Sequence, residues 1–200
     1  IFRQHKERAD TMKEIIWFGR GGQGAVVAAQ ILAESAYLEG FKGVTSAPTF
    51  GPERRGAPVT ASTRISEAPI RMFSQVEMAD IAVVLDETLL GVVDVKGRIR
   101  KGGTVIINTS CKPGDVGING DFDVATVDAT GIALKLRLMK EGAPLINTPM
   151  LGAFAKATGI VSLGNVEKAL RSKLPAAAAS QNFDTVRAAY EGTIVQKSQG

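Results

Sequence analysis

A three-layer α/β/α sandwich around a mainly parallel, mixed sheet is the fold class that this sequence predicts. Three observations carry that reading. A short apolar run ends in a glycine cluster and gives way to a helical pattern, as in a Rossmann-like βαβ unit. Three more apolar runs of strand length follow at intervals. The last third is dominated by helical periodicity.

The elements can be taken in order. Residues 14–18 (EIIWF) are an apolar run stopped by glycine, the signature of a strand buried on both faces. Residues 19–24 form a tight loop. Residues 25–38 predict a helix with Val27, Ala28, Ile31 and Leu38 at helical spacing, and Gly40 is placed to stop it. Residues 43–47 predict a second strand, completing a βαβ unit. Residues 59–65 alternate with period two: Val59, Ala61, Thr63 and Ile65 on one face, Thr60, Ser62 and Arg64 on the other. Residues 70–73 are expected to return as the second strand of a hairpin. Strands are also expected at 81–85, at 104–108 after a turn at 101–103, and at 124–128, with a helix from there to about Met139. Helices are expected at 150–157, at 166–170 behind a Ser162 cap, and at 184–190, with Pro175 and the alanine run 176–179 as a linker. Residues 1–13 are read as an N-terminal tail and 14–200 as a single domain.

Composition narrows the chemistry. The formal net charge of +4 lacks any basic run, and few aromatics are available for stacking, so no nucleic-acid partner is expected. No apolar stretch has membrane-spanning length and no signal peptide is legible, so a cytoplasmic location is expected. One cysteine, Cys111, cannot ligate an iron–sulfur cluster or close a cysteine-rich metal site. The one histidine, His5, lies in the polar tail. No metal and no catalytic residue is assigned to this chain.

Two segments stand out as candidate sites. Gly19, Gly21 and Gly24 match G-x-G-x-x-G between strand and helix, with Arg20, Gly22 and Gln23 between them. Glycines here permit a tight turn and backbone approach to an anion at a helix start. The end of the second strand, Thr45-Ser46-Ala47-Pro48, lacks the carboxylate that a dinucleotide site places there. Close packing of strand on helix, or a subunit contact, is the competing use of the glycines. The second segment, 51–58 (GPERRGAP), sets Glu53, Arg54 and Arg55 in a rigid, turn-rich loop suited to binding carboxylate or phosphate. Asp86, at a strand's carboxyl end, is placed to cap the next segment or pair with one of the arginines.

Four blocks, GRGGQG (19–24), FGPERRGAPV (50–59), VLDETLL (84–90) and NTPMLGAF (147–154), together resemble the gamma subunit of pyruvate:ferredoxin oxidoreductases and their 2-oxoisovalerate relatives. The resemblance covers residues 14–170. It implies a non-catalytic subunit that works with alpha, beta and delta subunits. The complex would carry thiamine diphosphate, magnesium and iron–sulfur clusters, reduce ferredoxin, and transfer the acyl group to coenzyme A. The two unusual loops would then lie at the subunit interface, and the arginines would meet the anionic part of coenzyme A. The alternative is a stand-alone nucleotide- or coenzyme-binding α/β module.

Overall fold

The structure, a computed structural model, describes residues 12–48, 54–72 and 74–198. In chain order it places β1 (Lys13–Arg20), α1 (Ala25–Glu39), β2 (Gly43–Pro48), β3 (Pro58–Ser66), β4 (Ala79–Val84), β5 (Ile99–Asn108), β6 (Phe122–Val127), α2 (Ala129–Lys135), β7 (Met139–Lys140), β8 (Ala143–Pro144), α3 (Pro149–Thr158), α4 (Leu163–Lys173), α5 (Ala176–Gly192) and β9 (Ile194–Gln196). The main sheet has the order β2-β3-β1-β4-β5-β6-β9, with β7 and β8 as a separate hairpin. Strand β3 is antiparallel to both its neighbours and β9 to β6, while β1, β4, β5 and β6 are parallel.

Each sheet face has its own core. Residues from all five helices join one cluster with Ile15, Trp17, Ile65, Val83 and Ile106. On the other face Ile16, Phe18, Val84, Val105 and Ile107 are covered by Val76, Leu89 and Val95. That third layer is thin, built from loops and the 3-10 turns Glu87–Gly91 and Lys96–Arg98. Strand alternation divides the two sets: Ile15 and Trp17 face the helices, Ile16 and Phe18 the turns. Trp17 sits under α3, its ring stacked 6.3 Å from that of Phe154. Its Nε1 donates to the Thr63 hydroxyl, which donates to the Ala29 carbonyl and so ties α1 to the sheet. Among the described residues no helix is long and apolar enough to cross a membrane.

Several sequence expectations need correction. Strands β1 and β2 run the same way but are not neighbours, because β3 lies between them. With both edges of β3 taken, no edge remains for a returning strand at 70–73. Residues 70–72 are irregular, and Phe73 lies outside the described residues. The expected turn at 101–103 lies inside β5, where Gly102 (φ 74) bends the strand. Helix α2 stops at Lys135, closed by the Leu138 amide on the Ala133 carbonyl with Arg137 at φ 56. Pro175 is the cap of α5, and 176–179 are its first turn, as alanine's helix propensity favours. In α1 the buried face is Ala25, Ala28, Ala29, Ile31, Leu32, Ser35 and Ala36, whereas Val27 and Leu38 are exposed. An almost wholly apolar helix leaves its inward face undecided, and small side chains let it pack close. Gly40 ends α1 in the left-handed region (φ 104), and Ser162 caps α4 through the Asn165 amide, as expected.

The amino edge of the sheet is held by charge. The Glu14 carboxylate accepts from Arg64 Nε (2.8 Å) and Arg100 Nη2 (2.6 Å). Arg100 also reaches Asp80, whose carboxylate accepts the Glu14 amide. Burial alone would raise the Glu14 pKa, but bonds from Arg100 and Arg64 hold it below the ordinary value. Its contribution to stability is therefore present above the unfolded carboxyl's pKa and lost as pH falls through the lower folded value. Arg64 is 5% exposed. Glu14→Gln leaves it facing no full charge and is expected to lower stability by about 3 kcal/mol in urea denaturation at neutral pH. A loss within about 0.5 kcal/mol, the usual range for surface changes, would contradict that role.

Candidate functional site

The two unusual loops meet at the carboxyl ends of β1 and β4. The glycine loop turns on itself, with the Gln23 amide on the Arg20 carbonyl (2.9 Å) and the Arg20 amide on Gln23 Oε1 (2.7 Å). It then zips onto the arginine loop. The Gly21 amide donates to the Ala57 carbonyl (2.8 Å), and the Gly56 amide donates to the Gly21 carbonyl (3.1 Å). A turn from the Ala57 amide to the Arg54 carbonyl (3.0 Å) closes the arginine loop itself.

Each glycine has its own reason. A methyl group at Gly21 would stand 2.4 Å from the Arg54 carbonyl oxygen, so only glycine allows the two backbones to touch. Gly24 (φ 82) caps α1 in the left-handed region, and its bare Cα sits against the Asn147 side chain, where a methyl would be 2.7 Å from Nδ2. The close-packing reading of the motif thus accounts for these two positions.

Arg20 is consumed inside the protein. Its Nε donates to Asp86 Oδ2 (3.1 Å), Nη1 to the Gly56 carbonyl (3.1 Å) and Nη2 to the Thr88 hydroxyl (2.7 Å). Gln23 Nε2 adds a second bond to Asp86 Oδ2 (3.0 Å). Asp86 Oδ1 accepts the Thr88 amide (3.0 Å) and hydroxyl (2.6 Å), capping the 3-10 turn behind it. Both roles expected of Asp86 are therefore combined. Burial pushes its pKa up, but hydrogen bonds from Thr88 and Gln23 and the Arg20 charge bring it below the ordinary value.

Arg54 and Arg55 are exposed and, among the described residues, neither makes an ion pair. With Arg20, Lys140 and one acid, Glu141, they rim a cleft of about 570 Å³. Its apolar wall is Val26, Val27, Pro48, Val59, Pro144 and Leu145. The start of α1 opens onto it with no side-chain cap and no acidic residue in the first turn, leaving the positive end of the helix uncompensated. Glu53 lies outside the described residues.

Three participants escaped the sequence reading. Thr88 had a signal, since Asp-x-Thr after a strand is a capping pattern. Lys140 reaches the rim on the β7–β8 hairpin, whose turn at Glu141 (φ 50) and Gly142 (φ 79) was hidden in a supposed helix end. Asn147 lay in a block noticed only by resemblance. Cys111 is exposed just beyond β5. Among the described residues no group of three or more His, Cys, Asp or Glu could hold a metal ion.

Comparison with known proteins agrees with this picture. The family model described as pyruvate ferredoxin/flavodoxin oxidoreductase matches residues 14–192. The pyruvate/ketoisovalerate oxidoreductases common subunit gamma of Thermococcus litoralis is 48% identical over 187 residues, covering 92% of this chain and 98% of that one. Pyruvate synthase subunit PorC of Methanothermobacter thermautotrophicus is 48% identical over 180 residues, covering 90% and 95%. The crystal structure of pyruvate oxidoreductase subunit PORC from Thermotoga maritima superposes with a TM-score of 0.77 at 36% identity, covering 94% and 99%.

The zipped loops give a direct test. Gly21→Ala is expected to cost about 1–3 kcal/mol, because the backbones must part. Gly56→Ala, which meets only open space at φ 83, is expected to cost about 1 kcal/mol from the left-handed backbone alone. Thermal unfolding of the two variants checks the order, and the reverse order would contradict the close approach.

Proposed function

This chain belongs to the pyruvate ferredoxin/flavodoxin oxidoreductase family as a gamma subunit, and on that premise we propose how it serves the complex. Residues 14–200 act as one cytoplasmic gamma-type domain that is inactive alone. It assembles with alpha, beta and delta subunits into an enzyme that oxidatively decarboxylates pyruvate or a branched-chain 2-oxoacid. The acyl group goes to coenzyme A and the electrons to ferredoxin. Thiamine diphosphate, magnesium and the iron–sulfur clusters supply decarboxylation and electron transfer from the other subunits. This chain's residues do not fit those groups: its one thiol, Cys111, cannot ligate a cluster.

The contribution of this chain is binding. One observation carries the reading: the cleft joins an apolar wall to a cationic rim at an uncompensated helix start. Such a surface suits a ligand with an extended organic body and phosphate groups, as coenzyme A has. The arginines hold the anionic part by charge-assisted hydrogen bonds, and the valines and prolines line its body. The same loops face the neighbouring subunits.

Each charge-assisted bond contributes about 1.5–3 kcal/mol. The double variant Arg54→Ala, Arg55→Ala is therefore expected to raise the KM for coenzyme A at least about tenfold, with kcat little changed. The assay is 2-oxoacid-dependent viologen reduction by the assembled complex. An unchanged KM in an intact complex would overturn the coenzyme role.

A further inference from the structure

Arg54 and Arg55 of the arginine loop make no ion pair among the described residues. Besides the backbone bonds at Gly21, a side chain holds the loop: Arg20, bonded to the Gly56 carbonyl one residue past Arg55. Arg20 is set in turn by Asp86. Its Nε donates to the carboxylate directly, and its Nη2 to the Thr88 hydroxyl, which donates to the same carboxylate. Gln23 links the glycine-loop backbone to Asp86 as well. The anchor is rigid, because Asp86 stands two residues past β4, a strand flanked on both sides, and the Leu85 amide between them continues the ladder to the Phe18 carbonyl (2.8 Å).

We infer that Asp86 is a positioning residue: acting through Arg20 and Thr88, it sets where Arg54 and Arg55 stand at the cleft. Asp86 does not line the cleft, so its effect on a ligand passes through the arginines. It also neutralises Arg20, while Arg54, Arg55 and Lys140 make no ion pair among the described residues. The kinetic consequence rests on the coenzyme reading above, while the structural link stands apart from it.

The test uses the assembled complex carrying Asp86→Asn, whose amide cannot accept on both sides. Amide exchange in a peptide spanning residues 54–57 is expected to quicken about tenfold, with β4 and β5 unchanged. The KM for coenzyme A is expected to rise about tenfold while kcat changes less than twofold. Thr88→Ser, which keeps the hydroxyl bridge, is expected to retain the parent KM, and Thr88→Val to raise it. The Thr88 pair also carries the test if Asp86→Asn fails to assemble. Unchanged exchange would overturn the inference. So would faster exchange with an unchanged KM, if the Arg54, Arg55 double variant does raise it. If that double variant leaves KM unchanged too, the coenzyme reading has failed, and the exchange result alone decides the link from Asp86 to the loop.

Discussion

Arg20 joins three segments that are far apart in sequence: the turn after β1, the loop before β3 and the turn after β4. Its bonds to Gly56, Thr88 and Asp86 require the glycine-loop and arginine-loop backbones to touch at Gly21. Much else follows from that contact. Strand β3 is inserted between β1 and β2, so the chain entering it passes over the end of β1. The glycines let it pass, and the turn they form releases α1 at the angle that opens its start onto the cleft.

The cations of the chain fall into two classes. Arg64 and Arg100 are bound to Glu14 and Asp80 at the amino edge, and Arg20 is bound to Asp86 at the carboxyl edge. Their charges are paired, and buried Arg64 in particular would cost much if its partner were lost. Arg54, Arg55 and Lys140 make no ion pair among the described residues, and the loop of Arg54 and Arg55 is bonded to Arg20 through Gly56. Paired and unpaired charges are thus separated by position, not by residue type.

The central sheet was legible because buried parallel strands are nearly continuous apolar runs, as in 81–85 and 104–108. The alternation in 59–65 also identified β3 correctly, with Ala61 and Ile65 toward the helices and Arg64 toward Glu14. Its place in the sheet was not legible, because alternation fixes faces and not neighbours. The inward face of α1 was ambiguous for want of polar positions. The β7–β8 hairpin and β9 are two and three residues per strand, too short for periodicity to register. The glycine motif marked the loop whose backbone meets the arginine loop at Gly21. Sequence offered Asp86 to one of the arginines but could not show which, since Arg20 lies 66 residues away.

Relatives 48% identical, matched over nearly their whole length, identify the chain as a gamma subunit. The most direct measurement is anaerobic affinity purification of the tagged chain from its native host, with the eluate assayed for iron, thiamine diphosphate and viologen reduction. The expected result is a multi-subunit complex containing both, active with pyruvate or a branched-chain 2-oxoacid. A chain eluting alone with a bound nucleotide or coenzyme would contradict the account and establish a stand-alone binding module.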